Sequence, residues 1–220
     1  MAEPADRRAR KKAQTRALVL ATAQRLFAER GFDAVTIADV AAAADVAVQT
    51  VFNHFSGKEE LFFAERTPWL DGLADAVRNR PAGTEPLGAL RSYTTDLVRT
   101  TMDESCTAER RAVLATLTAS AALQNALPVV FSQAERRLAA ALAEAWRSAG
   151  ADGAPEARMA GSLTAALWTA ATRTVLTELH ELPIDPTEAT EQRAAAEDLA
   201  KQVFDRLESG LATLLDVLER

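Results

Sequence analysis

The segment from residue 36 to residue 61, TIADVAAAADVAVQTVFNHFSGKEEL, constrains the fold more than any other part of the chain. Its first part predicts a helix over about 37 to 44, because Thr36 can cap that helix and Asp39 stands three residues on, as in a capping box. A second helix is predicted over about 48 to 55, after a tight turn. Two short helices joined in this way are typical of a helix-turn-helix.

The predicted second helix has one apolar side and one side with almost no charge. Val51 and Phe55, four residues apart, are expected to be buried against the first helix. A helix of about eight residues is roughly 12 Å long, which matches a DNA major groove about 12 Å wide. The two amides of the outer face are the best candidates for base hydrogen bonds, and Val48 or Thr50 for contact with a thymine methyl group. The whole outer face comprises Val48, Gln49, Thr50, Phe52, Asn53 and His54.

Short groups of residues in this region form a signature without gaps. They are Leu26-Phe27, Gly31-Phe32, Thr36-Ile37, Val40-Ala41, Val46, Phe52-Asn53-His54-Phe55 and Lys58-Glu59-Glu60-Leu61. On these residues the chain resembles the DNA-binding domain of the TetR family of bacterial transcription regulators, over about residues 15 to 62. Asp45 stands where the family usually has glycine in the turn, Ala47 where it has a capping serine, and Phe52 where it has tyrosine. We expect Asp45 to tolerate the left-handed turn and to supply the missing cap itself.

The resemblance implies how this domain contacts DNA. Ala47 and the outer face of the second helix are implied to lie in the major groove, while Thr36 and Lys58 hold phosphates. Lys58 lies at the start of a helix that Ser56 and Glu59 are predicted to open as a capping box. In the basic N-terminal arm, Arg10 and Lys12 are the expected DNA contacts.

The net charge of −6 is unevenly distributed along the chain. Residues 1–65 hold nine Lys and Arg against nine Asp and Glu, so the acidic excess lies entirely beyond them. The first 16 residues carry six basic groups against two acidic ones. Alone, such a run indicates either a solvated, disordered tail or a binding segment; beside a helix-turn-helix it favours contact with phosphates or the minor groove.

Composition and periodicity predict an all-α protein, and the resemblance implies about nine or ten helices. Ala and Leu supply much of the apolar content, and few strand-like runs are visible. The predicted organisation is a disordered basic arm over 1–9, a three-helix helix-turn-helix domain over 10–57, and an effector-binding and dimerisation domain over 58–220. Helices are predicted at about 10–30, 58–80 with a break indicated at Thr67-Pro68, 85–102, 107–119 and 121–149.

Two long helices are predicted to close the chain, over about 155–182 and 186–218. They could form an antiparallel hairpin in a monomer, but in TetR-like proteins the last two helices pair with their symmetry mates, and we adopt that interpretation. A two-fold dimer would present two recognition helices roughly 34–36 Å apart to a palindromic operator. The apolar stripes are Met159, Leu163, Ala166, Leu167, Ala170 and Ala171, followed by Ala195, Leu199, Val203, Leu207 and Leu214.

No residues in the sequence assemble into a catalytic or metal site. His180 lacks a carboxylate at the spacing of a helical metal site, and Cys106 is expected to be a small apolar residue, with a redox-sensing role left open. Phosphate-binding loops and nucleophile elbows are absent from the sequence. We therefore expect no enzyme activity, cofactor or metal. The chain also lacks an apolar run of bilayer length and a signal peptide, so we expect a cytoplasmic protein without a membrane partner.

An effector pocket is expected among the middle helices, where ligand sites in helical bundles form. Arg173 is the most suggestive residue, because it interrupts the apolar run LTAALWTAATRTVL and could pair with an acidic ligand. An ion pair with the partner chain or an acidic neighbour explains it equally well. The candidate lining residues, each of which could instead be an ordinary core residue, are Trp69, Tyr93, Phe131, Trp146, Trp168, Thr172 and Arg173.

The sequence thus predicts a homodimeric DNA-binding repressor that a small-molecule effector releases from a palindromic operator. Two alternatives stay open. One is a helical small-molecule-binding protein or enzyme whose N-terminal domain no longer serves DNA, and the other is a ligand-independent activator.

Overall fold

The computed structural model describes residues 4–65, 68–105, 107–148, 154–181 and 189–218. Within these ranges the chain is helical with no strand, so the all-α prediction is confirmed. The helices are α1 (Pro4–Arg30), α2 (Ile37–Ala43), α3 (Val48–Phe52), α4 (Lys58–Phe63), α5 (Pro68–Arg78), α6 (Pro86–Ser105), α7 (Ala108–Ala119), α8 (Ala121–Ser148), α9 (Ala154–Glu181) and α10 (Ala189–Leu218).

The chain divides into two compact units. The first, which we call the headpiece unit, contains Met1–Pro68 and Ala112–Leu127; the second, the C-terminal unit, contains Trp69–Arg111 and Pro128–Arg220. Helix α8 continues through Pro128, at which the unit assignment changes. The division predicted from sequence at residues 57 and 58 stays a prediction, while α4 groups with the headpiece unit.

Three phenylalanines form the centre of the headpiece unit. The rings of Phe27 and Phe32 lie 5.1 Å apart, and those of Phe32 and Phe62 lie 5.5 Å apart. Phe27 shares the buried face of α1 with Val19 and Ala23, as the helical spacing predicts. Gly31 then ends the helix with a φ of 80°. These contacts fix α1 as the support on which the shorter helices pack.

Two predicted segments differ from the structure. The arm expected to be disordered over 1–9 is helical from Pro4, because the run from residue 5 to residue 30 is rich in Ala, Arg, Lys and Gln and holds neither Gly nor Pro. Residues 1–3 lie outside the described ranges. The helix expected over 58–80 has the break indicated there, since α5 begins at Pro68, but the break is wider than predicted: α4 already ends at Phe63, and Glu65 takes a φ of 61°. Residues 66–67 are also outside the described ranges.

The C-terminal unit packs around an aromatic pair. Trp168 of α9 and Phe204 of α10 are fully buried, with ring centroids 5.5 Å apart. A partly buried ion pair joins α6 to α10, in which Arg91 Nε lies 2.7 Å from a carboxylate oxygen of Glu208. Helices α8 and α9 approach closely at Gly161, where an added Cβ would lie 2.8 Å from the carbonyl oxygen of Ala139.

Most described residues of the apolar stripes predicted on the two long helices lie outside the buried core, although Ala171 and Leu207 pack against it. Large side chains of α9 are exposed instead, with Met159, Leu163 and Leu167 exposed by 53%, 38% and 42%. On α10 the buried side is shifted by one residue from the prediction, because the ring of Phe204 takes the place beside Trp168. Its buried residues are Ala196, Ala200, Phe204 and Leu211, and Leu199 is 62% exposed.

Across the described ranges, no helix taken alone has the length and apolar content needed to cross a membrane. One bent pair, Arg111–Ala119 with Ala121–Ser148, meets those two requirements together.

Candidate DNA-binding surface and effector region

Helix α2 begins with the capping box that the sequence predicts. The Asp39 backbone N–H donates to Thr36 Oγ1 at 3.1 Å, and the Thr36 backbone N–H donates to Asp39 Oδ2 at 2.8 Å. The Thr36 hydroxyl also donates to Asp39 Oδ2. These hydrogen bonds stabilise the carboxylate and lower the pKa of Asp39 below its usual value, the side-chain bond from Thr36 having the largest effect. The cap thus fixes the start of α2.

The turn after α2 is left-handed at Asp45, which has a φ of 52°, as expected for a residue standing in place of glycine. The Val46 backbone N–H donates to the carbonyl oxygen of Ala41 at 3.0 Å and closes the turn. The prediction that Asp45 caps α3 is wrong. Ala47 is the N-cap, and its methyl side chain cannot accept a hydrogen bond. Asp45 lies two residues before the cap position, so its carboxylate does not replace the missing cap.

Helix α3 is anchored by the two residues predicted to be buried. Val51 and Phe55 are almost fully buried, and the guanidinium carbon of Arg16 lies 4.7 Å from the centroid of the Phe55 ring. The helix ends at Phe52 rather than at residue 55, with Asn53 as its C-cap. Helical hydrogen bonds nevertheless continue, since the Phe55 N–H donates to the carbonyl oxygen of Val51. The five-residue helix is roughly 7.5 Å long, shorter than predicted.

The outer face of α3 presents two rows of exposed side chains. Val48 and Phe52, four residues apart, are 42% and 48% exposed. Beside them, the exposed amides of Gln49 and Asn53 are joined by a hydrogen bond of 3.3 Å from Gln49 Nε2 to Asn53 Oδ1. Ala47 is exposed, whereas Thr50 and His54 are half-buried at the edge of the face.

The side chains of Thr36 and Lys58, which are predicted to contact phosphates, bind other groups of the protein in this structure. The Lys58 ammonium donates to the carbonyl oxygen of Phe32 at 2.9 Å and lies 4.2 Å from the centroid of its ring. The capping box predicted for Ser56 and Glu59 is wrong: Gly57 is the N-cap, and the N–H and hydroxyl of Ser56 both donate to Glu60 at 2.7 Å. Glu60 reaches Ser56 because it lies one helical turn further on. The phosphate roles of Thr36 and Lys58 stay predictions.

The cations of the basic arm lie in the first turns of α1. These cations precede Val19, which begins the run of fully buried residues on this helix. Arg16 is the exception, because it packs on Phe55 and lies 3.8 Å from Glu65. The exposed cations of the arm, which include the predicted DNA contacts, are Arg7, Arg8, Arg10, Lys11 and Lys12.

Sequence reasoning missed one connection within the headpiece unit. The buried hydroxyl of Ser120 donates to Asp33 Oδ1 at 2.8 Å and accepts from the Leu123 N–H at 3.4 Å. The α1–α2 loop and the end of α7 line a groove of about 430 Å³ beside this bond. Because Ser120 directly precedes α8, the sequence could have indicated its role as an N-cap. No sequence signal indicated its bond to Asp33, which lies 87 residues earlier.

The structure brings together two of the candidate effector residues through their side chains. The Arg173 guanidinium carbon lies 5.4 Å from the centroid of the half-buried Phe131 ring. Trp168 lies in the core, and the Thr172 hydroxyl donates to its carbonyl oxygen. Tyr93 and Trp146 are half-buried against the same core. The effector roles of these residues stay predictions.

Three residues considered in the sequence lie outside the described residues in whole or in part. Cys106 is not described, and neither are the side chains of Trp69 and His180. Among the described residues, no group of three or more His, Cys, Asp or Glu side chains could hold a metal ion.

Comparison with known proteins identifies the N-terminal region. Residues 19–64 match the family model described as bacterial regulatory proteins, tetR family. The HTH-type transcriptional regulator TcmR of Streptomyces glaucescens is 34% identical over 83 residues, which are 38% of this chain and 37% of TcmR. The chain thus matches little more than a third of the length of that relative.

Two solved structures share the fold along most of the chain. Salmonella enterica GusR is 20% identical, with a TM-score of 0.51, and the match covers 89% of this chain and 96% of GusR. The TetR family repressor AlkX of Dietzia sp. strain DQ12-45-1b is 21% identical, with a TM-score of 0.51, over 89% of this chain and 97% of AlkX. The capped α2, the left-handed turn and the exposed face of α3 lie inside the matched N-terminal region. Residues 19–64 thus match the tetR family of bacterial regulatory proteins, and most of the chain shares its fold with GusR and AlkX.

Proposed function

We propose that this protein is a homodimeric repressor that binds a palindromic DNA operator and is released from it by a small molecule. The observation that carries the proposal is the exposed amide row of α3. Gln49 and Asn53 are exposed polar side chains on a short helix that Val51 and Phe55 anchor. Amides placed in this way can hydrogen-bond the edges of bases in the major groove.

Binding through two copies is supported by the exposed side of α9. From Met159 to Thr172 the sequence MAGSLTAALWTAAT holds no charged residue, and its large exposed members are Met159, Leu163 and Leu167. Leu199 of α10 is a further exposed apolar side chain. A second copy of the chain would cover this surface and give the two-fold symmetry that a palindromic operator requires.

Release by an effector is proposed through the C-terminal unit, where the half-buried Phe131 ring lies beside the Arg173 guanidinium. A guanidinium beside a half-buried aromatic ring suits an acidic ligand with an apolar body. A ligand preferring one conformation by about 1–3 kcal/mol changes DNA affinity about 5- to 150-fold.

AlkX, described as a TetR family repressor, supports repression over activation.

The DNA-binding proposal is tested by selecting genomic fragments with the purified full-length protein and footprinting the retained ones. We expect one or a few fragments carrying an inverted repeat whose half-sites are spaced by about one DNA turn. Retention should fall steeply as salt rises, because phosphate contacts release counterions. Retention of all fragments in proportion to their length would contradict sequence-specific recognition.

The dimer proposal is tested by light scattering of Leu163→Glu, a variant that places a charge in the exposed stripe of α9. We expect the parent to have twice the mass of the chain and the variant to dissociate, because an unpaired charge is costly to bury in an interface. Leu18→Glu is the matched control, since Leu18 is a 51% exposed leucine of α1. An unchanged dimer in Leu163→Glu would place the interface elsewhere.

A further inference from the structure

We infer from the face of α3 that the operator half-site consists of A·T base pairs at the positions this helix reads. The inference rests on the proposed DNA-binding function and specifies its sequence preference. It follows from the two parallel rows of side chains, an amide row of Gln49 and Asn53 and an apolar row of Val48 and Phe52, each with its members four residues apart.

The amide row complements adenine. Adenine presents a donor, the N6 amino group, next to an acceptor, N7, in the major groove. The bond from Gln49 Nε2 to Asn53 Oδ1 orients the two amides, with Gln49 Oε1 as an acceptor and the Asn53 amino group as a donor. Gln49 Oε1 can accept from the adenine N6 amino group while an amide N–H donates to N7, whereas a guanine edge offers acceptors only and leaves Gln49 Oε1 without a donor.

The apolar row complements thymine. Val48 and Phe52 are exposed beside the amides, so the two rows can read the two members of one pair or of adjacent pairs. Thymine is the base with a methyl group in the major groove, and apolar side chains pack on it. Contact with that methyl group removes apolar surface of both partners from water.

The residues around α3 lack the groups that commonly select guanine. Arg and Lys donate to guanine O6 and N7, but residues 45–57, DVAVQTVFNHFSG, hold neither. The next cation along the chain, Lys58, donates to the carbonyl oxygen of Phe32 and lies over its ring. Both exposed rows therefore favour the same kind of base pair.

The test begins with selection of binding sites from random duplexes by the full-length protein, followed by affinity measurements on single base-pair changes. We expect A·T pairs at the positions where the Gln49→Ala, Asn53→Ala double variant loses selectivity. Changing one of them to G·C should weaken binding by the parent roughly 5- to 160-fold. The matched control is the double variant Asn79→Ala, Gln133→Ala, which removes two exposed amides of the C-terminal unit and should bind as the parent does.

Base analogues separate the two rows. Replacing thymine by uracil removes only the methyl group and should weaken binding by the parent about 4-fold per contacted methyl. The same replacement should change binding by the Val48→Ala, Phe52→Ala variant less than about 2-fold. Replacing adenine by 7-deazaadenine removes the N7 acceptor, which should weaken binding by the parent and leave the Gln49→Ala, Asn53→Ala variant unaffected.

The outcomes distinguish this inference from the function on which it rests. If the protein selects a specific site whose α3-dependent positions are G·C, the inference is overturned and DNA-binding function stands. Equal binding of thymine- and uracil-containing sites by the parent overturns the role of the apolar row. If the parent selects no sequence, both the proposed function and the inference fail.

Discussion

Removing the Thr36 hydroxyl should loosen α2, the helix on which α3 rests. In the structure this hydroxyl accepts from the Asp39 N–H and donates to the Asp39 carboxylate. Thr36→Ala removes both contacts and leaves the bond from the residue 36 N–H to that carboxylate. Helix α2 has only seven residues, so its first turn has little else to hold it in place.

The expected cost is that of a lost N-cap, about 1 kcal/mol within a range of about 0.5–2. Local opening of α2 then becomes about 5-fold more frequent, within limits of about 2- to 30-fold. The assay is hydrogen exchange by mass spectrometry on the peptide that covers residues 36–44. Exchange of α9 peptides in the same sample serves as the internal reference, since α9 lies in the C-terminal unit.

The effect should depend on pH in a defined direction. Hydrogen bonds from Thr36 lower the pKa of Asp39, so the stabilisation is complete above the ordinary carboxyl value of 3.8 and is lost as pH falls through the lowered folded value. The difference between parent and Thr36→Ala should therefore narrow in acid. Thr36→Ser keeps the hydroxyl and should exchange within about 2-fold of the parent. Equal exchange of Thr36→Ala and the parent at neutral pH would refute the capping argument.

Two further predictions concern packing. Gly161→Ala should lower the free energy of unfolding by about 1–2 kcal/mol in urea titrations, because the new Cβ would meet backbone atoms of α8 that cannot rotate away. The control Gly210→Ala, also in a helix but with no atom within 4 Å of the added Cβ, should raise the free energy of unfolding by about 0.4–1 kcal/mol. If both changes altered the free energy of unfolding in the same direction, the close approach of α8 and α9 would be contradicted. Ser120→Ala should lower the free energy of unfolding by about 1 kcal/mol, because it removes the bond to Asp33 and the cap of α8. The control Ser209→Ala, at an exposed serine, should change the free energy of unfolding by less than about 0.5 kcal/mol. An equal effect of the two serine changes would argue against that connection.

Local signals in the sequence predicted most of the fold. The capping box of Thr36 and Asp39, the left-handed Asp45 and the buried pair Val51 and Phe55 were all predicted, because each depends on residues within one or two helical turns. Helices α6 to α9 also lie within a few residues of their predicted positions. Periodicity and caps are sufficient for such elements.

The features that were not predicted from the sequence depend on contacts between residues far apart along the chain. The position of Lys58 at a helix start predicts an exposed cation, yet its ammonium donates a hydrogen bond to the carbonyl oxygen of Phe32, 26 residues earlier. The stripe predicted on α10 from helical spacing includes Val203, but the neighbouring Phe204 takes the core position, because its ring stacks on Trp168 of α9. Such pairings depend on which helices meet, which helical periodicity alone does not specify.

The exposure of the α3 side chains was predicted better than the surroundings of the candidate effector residues. The exposed amides of α3 follow from the anchored pair on its other side, so one local argument places them. Of the large side chains proposed to line a pocket, Trp168 is fully buried and Phe131 is half-buried. A pocket-lining residue and a core residue have the same helical spacing, so only the packing of several helices distinguishes them.

The proposed recognition of DNA sequence by the face of α3 is tested by the ratio of the protein's affinities for an operator duplex and a scrambled duplex. We would measure that ratio for the parent, for the Gln49→Ala, Asn53→Ala variant and for the Asn79→Ala, Gln133→Ala control at one fixed salt concentration. We predict that this ratio falls at least about 10-fold in the α3 variant, whose affinity for scrambled DNA is unchanged, while the control keeps the parent's ratio. An equal ratio in the α3 variant and the parent would show that the face of α3 does not recognise DNA sequence.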